Sequence, residues 1–280
     1  PALGIDIGGT GIKAAVVDTR NGELLTRREK IPTPRSGKPK AVISALKDLV
    51  TRFDIDPRTM PVGIACPAVV QNGITRTAAN ISPEWIGLDA QQRFSDALRT
   101  PVQVLTDADA AGYAEIMCGA ARGVPGGGLL TTLGTGIGSA IIVDGKLIPN
   151  TELGHLDIGK HPNIETYAAN SAREREHLSM RVWAKRLQQF YSHVEALFWP
   201  DLIVVGGGIS RQHDEFLPLL DLHAKIVPAM YLNTAGILGA AAGAARAPPP
   251  PAAGPAPRAP PAPRPPPRPP PPPPPPPRGG

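Results

Sequence analysis

The sequence predicts an α/β fold in which one architectural unit is built twice, and two observations predict it. The first is a pair of matching glycine-rich stretches. Residues 3–18 read LGIDIGGTGIKAAVVD and residues 134–144 read GTGIGSAIIVD, each passing from a Gly/Thr turn into an apolar strand that ends in Val-Asp. Aligned from Gly8 and Gly134, the two agree at Gly134, Ala140, Val143 and Asp144. The second is what surrounds each turn: strands on either side, then a third, then helices and strands in alternation.

Taken in order, residues 3–6 and 12–17 are apolar strands joined by Gly8-Gly9-Thr10-Gly11, and residues 23–31 read as a third strand. A Pro/Gly loop spans residues 32–39. Val42, Leu46, Leu49, Val50 and Phe53 then fall on one face of a helix over residues 41–53. Residues 62–65 are a buried-type strand, followed by a loop through Asn72-Gly73 to Asn80 and Trp85. A helix over 90–98, a strand over 102–105 and a helix over 108–120, entered through Thr106-Asp107, complete the first half.

The second half restarts with strands at 129–133, 140–143 and 146–148, and a polar loop runs over 150–165. Met180, Trp183, Leu187, Phe190, Tyr191, Val194, Leu197 and Phe198 recur at helical spacing over 180–198, a stripe that reads as core. An apolar strand at 202–205 runs into Gly206-Gly207-Gly208. Helices over 215–226 and, from small residues, about 234–247 close the body. This divides the chain into a lobe over 1–107, a lobe over 108–233 with the last helix packing back on the first lobe, and a tail over 248–280.

The net charge of +5 belongs to the tail, which holds four arginines and no acid; the body carries 25 basic and 24 acidic residues. A near-neutral body gives no warrant for nucleic-acid binding. In the tail 21 of 33 residues are proline, which favours polyproline II or disorder over a packed core. It is read as a non-essential extension rather than a ligand for proline-reading modules. Cys66 and Cys118 are the only cysteines and form no CxxC pair, which excludes a disulfide framework and a Cys-rich zinc site and fits small core residues in a reduced compartment. With no apolar run of membrane-spanning length and no signal-peptide pattern at the start, a cytoplasmic protein is expected.

Glycines at a hairpin tip let backbone N–H groups approach an anion, and a nearby carboxylate such as Asp6 can hold a metal ion on it. Alone, such a turn is equally that of a plain β-hairpin; the second copy favours a pair of turns closing on a phosphate donor. No P-loop, protein-kinase or dinucleotide-binding motif occurs. Asp107, at a strand's end and a helix's start, reads either as an N-cap or as a base facing the crevice of the sheet. Glu152, His155 and Glu165 share one loop and suit a sugar, whose hydroxyls both donate and accept; their spacing fits no zinc pattern.

IDIGGTGIK at 5–13, TDADAAGYAE at 106–115, LGTGIGSAIIVDG at 133–145, ELGH at 152–155 and VVGGGIS at 204–210 together resemble the ROK family of sugar kinases. The resemblance covers essentially the whole body and lies with the polyphosphate-using branch. It implies two ribonuclease H-like lobes of the actin/hexokinase superfamily with a cleft between them. It also implies phosphoryl transfer from polyphosphate or ATP to the 6-hydroxyl of glucose, and of mannose, with Mg²⁺. By resemblance Asp107 is the base, and Asn80, Glu152, His155 and Glu165 hold the other hydroxyls. Asp6, Gly8, Gly9, Thr10, Gly11, Lys13, Thr135 and Gly136 would hold phosphates, Asp6 also Mg²⁺, and Gly207 and Gly208 would border an adenosine. The Cys-rich zinc segment of the family is absent, since residues 160–164 contain no Cys. Lys13, Lys38, Lys40, Lys160, Arg173, Arg175 and Lys185 are candidates for a basic polyphosphate track. The rivals are a strictly ATP-dependent kinase and a sugar-sensing repressor; the second would need a DNA-binding segment ahead of Leu3. Homodimers are common in the family, but no interface is legible in the sequence.

Overall fold

A computed structural model describes residues 1–78, 81–231 and 234–246. Asn80 and the proline-rich tail therefore lie outside the described residues. The strands in chain order are β1 (Ala2–Ile7), β2 (Gly11–Val17), β3 (Glu29–Pro32), β4 (Val62–Cys66), β5 (Val70–Gln71), β6 (Ile74–Thr75) and β7 (Val102–Thr106). They continue with β8 (Gly127–Leu133), β9 (Ile137–Val143), β10 (Lys146–Thr151), β11 (Leu202–Gly206) and β12 (Lys225–Pro228). The α-helices are α1 (Pro39–Val50), α2 (Ala90–Leu98), α3 (Asp107–Cys118), α4 (Glu165–Ala168), α5 (Asn170–Arg175), α6 (Met180–Phe198) and α7 (Ala235–Arg246).

Two five-stranded sheets carry the same topology: β3-β2-β1-β4-β7 in the first and β10-β9-β8-β11-β12 in the second. In each, three antiparallel strands are extended by two parallel strands. This is the doubled arrangement expected of two ribonuclease H-like units.

Strands β1 and β4 are buried on both faces, hence their near-continuous apolar sequences. On one face Ile5 and Ile64 pack with Leu46 and Leu49 of α1 and Phe94 of α2. On the other, Ala2 and Ala15 meet Ile237, Leu238 and Ala241 of α7. The small residues of α7 serve this close approach. A Cβ at Gly63 would overlap the carbonyl of Ala240, and one at Gly239 would overlap that of Ala110 in α3. Helix α3, buried almost all round, is thereby held between α7 and the second sheet, against Ala140 and Leu147.

Four sequence expectations are corrected. Residues 23–31 are not one strand: only Leu24 bridges to Val17, and β3 begins at Glu29. The Thr26 hydroxyl accepts the N–H of Val16 at 3.0 Å in place of a ladder carbonyl, so the strand is interrupted there. Residues 72–80 are not all loop, because Asn72 (φ +53°) and Gly73 (φ +80°) form the two-residue turn of a β5–β6 hairpin. No α-helix covers 215–226. Short 3₁₀ turns end at Leu219, Gln188 holds the backbone of Asp221 through two hydrogen bonds of 2.7 Å, and β12 follows as an edge strand parallel to β11. Pro218 and the β-branched pair Ile226-Val227 favour this outcome. Finally, α6 has the expected limits, but its stripe ends early: Leu197 and Phe198 are exposed while Trp183, Leu187, Phe190, Tyr191 and Val194 are buried. Cys66 is buried and Cys118 half-buried. Among the described residues no helix is long and apolar enough to cross a membrane.

Candidate active site

Asp107 opens α3 at the C-terminal end of β7, where strand ends face the crevice of an α/β sheet. It is not the N-cap. That role belongs to Thr106, whose hydroxyl accepts the N–H of Asp109 at 3.0 Å. The Asp107 Oδ1 accepts the N–H of the next residue, Ala108, at 2.8 Å. Asp107 is itself accessible to solvent, but it lines a crevice whose surrounding protein atoms desolvate its carboxylate. This desolvation first, and the nearby charge of Asp6 second, push its carboxyl above the usual carboxylate range, against the Ala108 N–H. A base so raised is better matched to a hydroxyl proton than an ordinary aspartate.

A cavity of about 200 Å³ joins the ends of the two sheets and α7. Asp6 lines it from the first sheet, Asp107 from the start of α3, Thr132, Gly206 and Gly207 from the second sheet and its end, and Gly236 from the start of α7. Gly207 has φ +87°, and a Cβ there would overlap the backbone of Leu133. Gly208 borders open space. The Asp6 carboxylate lies against Gly236 in the first turn of α7 and pairs with Lys13 at 3.1 Å.

The loop group assembles. His155 Nε2 stands 3.8 Å from Glu152 Oε2 and 3.5 Å from Glu165 Oε1. Glu165, opening α4, also accepts the N–H of Ile137 at 2.9 Å, and its carboxylate fills the space beside Gly136. Desolvation raises the Glu152 carboxyl; His155 opposes this, while the charges of Asp107 and Glu165 add to it. Asp107 and Glu152 thus lie within electrostatic reach of each other, although the three loop residues do not line the 200 Å³ cavity. Ser139 fixes the loop's start by accepting the N–H of Leu153 at 3.0 Å and donating to the carbonyl of Thr151 at 2.8 Å.

Both glycine turns close hairpins but differ in length: Gly8 N–H donates to Gly11 O at 3.0 Å between Ile7 and Ile12, and Gly134 N–H to Gly136 O at 3.0 Å in the one-residue-shorter turn between Leu133 and Ile137. Thr33 donates to the carbonyl of Gly8 at 2.6 Å, and Ser171 to that of Thr135 at 2.6 Å. The turn tips, Gly8 to Gly11 and Thr135-Gly136, lie outside the lining of the 200 Å³ cavity. Of the candidate basic track, Lys38 pairs with Glu84 at 2.7 Å and Arg175 with Glu176 at 3.2 Å. Arg173 lies over the Trp183 ring, 5.8 Å from its centroid. Lys160 lines an open groove beside α6 with His161 and His193.

Two buried acids near the site escape motif reading, although both lie within residues 106–115. Asp109 receives the N–H of Asn150. Glu115 accepts the N–H groups of Ala120, Met230 and Tyr231 at 2.7, 2.9 and 3.2 Å. The available signal was an acid recurring on a helix otherwise made of small and apolar residues.

The model of the ROK family matches residues 2–176. A polyphosphate glucokinase of Mycobacterium tuberculosis is 44% identical over 240 residues, covering 85% of this chain and 89% of that protein. The polyphosphate glucokinase of Mycobacterium leprae is 45% identical over 241 residues, with 85% and 73% covered. Among solved structures, the inorganic polyphosphate/ATP-glucomannokinase of Arthrobacter sp. strain KM superposes with a TM-score of 0.81 at 48% identity, covering 88% of this chain and 98% of that one. The ROK family glucokinase of Streptomyces griseus shares the fold, with a TM-score of 0.72 at 24% identity. By family match, by identity over most of its length and by its doubled sheet topology, this chain belongs to the ROK family.

Proposed function

We propose that this protein transfers a phosphoryl group from inorganic polyphosphate or ATP to the 6-hydroxyl of glucose, and of mannose, giving the hexose 6-phosphate. The observation that carries the reading is Asp107 at one cavity with Asp6 and Gly207 and within electrostatic reach of Glu152. A base, a carboxylate able to hold a cation beside close-packed glycine backbone, and a hydroxyl-binding loop within electrostatic reach of the base support the reading of a sugar kinase. The 44% identity to polyphosphate glucokinases supports the choice of donor and acceptor.

In the reaction the O6–H proton passes to the Asp107 carboxylate as O6 forms its bond to phosphorus and the bond from phosphorus to the departing phosphate oxygen breaks. Glu152, His155, Glu165 and Asn80 hold the remaining hydroxyls and orient O6. The turn amides around Gly8, Gly9, Thr10 and Gly11, and around Thr135 and Gly136, cradle the donor with Lys13, while Gly207 and Gly208 leave room for an adenosine. Asp6 is the residue to hold Mg²⁺. Among the described residues no cluster of three or more His, Cys, Asp or Glu could cage a metal. One hard carboxylate oxygen beside donor phosphates suits an ion that keeps its waters. When bound, Mg²⁺ neutralises charge on the transferred group. The lobes over 1–107 and 108–233, with α7 packed on the first, would close to exclude water. A cytoplasmic location and a homodimer belong to the same proposal.

The test is product formation with polyphosphate or ATP against glucose and mannose. Hexose 6-phosphate with both donors is expected. Turnover with ATP alone would make it a strictly ATP-dependent kinase, and no turnover with either would overturn the reading.

A further inference from the structure

The edge strand β10 carries one residue more than its partner: Ile148 stands opposite Ile141, but Thr151 stands opposite Ser139. The extra residue is absorbed at Asn150, whose φ of +60° lies in the left-handed region that asparagine tolerates better than most residues. Its backbone N–H meets both oxygens of Asp109, at 3.2 and 3.1 Å. Asp109 lies on the first turn of α3 and is 3% exposed. The Asn150 side-chain Oδ1 accepts the N–H of Val70 in β5 at 3.1 Å. Val70 belongs to the core of the first sheet. Asp109 is two residues beyond Asp107, and Glu152 two residues beyond Asn150. One residue therefore joins the β5–β6 hairpin, the helix that presents the base and the start of the hydroxyl-binding loop.

Resting on the sugar-kinase reading, we propose that Asn150 is a positioning residue: its amide oxygen ties the β5–β6 hairpin of the first lobe to the sugar loop of the second and holds the lobes in the sugar-binding arrangement. The bulge is what aims this side chain across the crevice, since one residue more or less in a strand reverses the face to which a side chain points. Asp109 anchors the bulge from beneath. Burial pushes its carboxyl up to about 6, and the Asn150 N–H works against that cost. The tie touches no reacting atom. It sets how often the sugar-binding arrangement is populated, so its loss weakens apparent sugar affinity while the rate of the assembled complex stays nearly constant.

Two variants of the full chain test this. Asn150→Gly keeps the left-handed backbone and removes Oδ1; Asn150→Asp keeps an acceptor oxygen. Glucose KM and kcat are measured at saturating ATP, and amide exchange of Val70 by hydrogen–deuterium exchange. The glycine variant is expected to raise glucose KM about fivefold, the scale of one hydrogen bond, with kcat within about twofold of wild type. Its Val70 amide should exchange faster, and the aspartate variant should bring both readouts back toward wild type. An unchanged KM in Asn150→Gly, or a rise that Asn150→Asp does not reverse, overturns the proposal. A wild type that phosphorylates no hexose overturns the kinase reading and with it the role of Asn150. The exchange measurement, which needs no substrate, distinguishes that failure from a missing tie.

Discussion

The two five-stranded sheets share a strand order but not a chemistry. Aligned on their glycine turns, Asp6 of β1 corresponds to Thr132 of β8, and both line the same cavity. The fifth strand of the first sheet leads directly to Asp107, whereas that of the second leads to Ala229. The fourth strand of the first sheet ends at Cys66, and that of the second runs into Gly206-Gly207, where backbone approaches closely. A duplicated backbone thus places equivalent positions around one crevice. In the proposed reaction one copy would supply the carboxylates for a proton and a cation, and the other space, backbone amides and the Glu152, His155 and Glu165 loop.

The sharpest way to break this asymmetry is Asp107→Asn. It should retain glucose binding by calorimetry while kcat falls by roughly 10² to 10⁴, the range of general-base catalysis. A kcat near that of wild type would remove the acid from the mechanism. A mutation at the seam between the copies comes next. Gly239→Leu would drive a side chain into the Ala110 carbonyl at the α3–α7 crossing, with an expected loss of about 1–3 kcal/mol or more in denaturant unfolding. Unchanged stability would mean the helices separate there at little cost.

A third measurement compares the matched pair Asp6 and Thr132. Asp107 must be ionised to accept a proton, so kcat/KM falls as pH drops through its raised pKa, and the acid limb should lie above the ordinary value of 3.8. Because the charge of Asp6 helps to raise it, Asp6→Asn should move that limb to lower pH, whereas Thr132→Val should leave it in place. A limb that moves equally in both would dissolve the distinction. The smallest effect concerns the donors: polyphosphate-driven turnover should decline more steeply with added salt than ATP-driven turnover, because more phosphates are engaged. Equal slopes would count against an extended basic track, several of whose candidates are already paired to acids.

The repeat, the near-neutral body, the glycine turns and most helices were legible in the sequence, because each is written in neighbouring residues. Helix α2 over Ala90–Leu98 and helix α6 over Met180–Phe198 have the limits that their spacing predicts. The segment from Leu217 to Pro228 did not follow its local pattern. Gln188 on a distant helix holds Asp221, the buried Glu195 accepts the N–H of Ala224 at 2.7 Å, and β11 offers an unpaired edge. The β5–β6 hairpin was signalled by Asn72-Gly73, yet two-residue strands give too short an alternation to be read.

The sequence alone therefore determined the identity of the candidate groups and their order along the chain, because turn chemistry and periodicity act over a few residues. Only the tertiary structure decided how those groups meet. It brought Asp6 and Asp107 to one cavity, raised the Asp107 carboxyl through the protein packed around it, and reached from Asp109 through Asn150 to Val70 across 80 residues of chain. Desolvation and hydrogen bonds between distant segments depend on distances in space, which no spacing in sequence records.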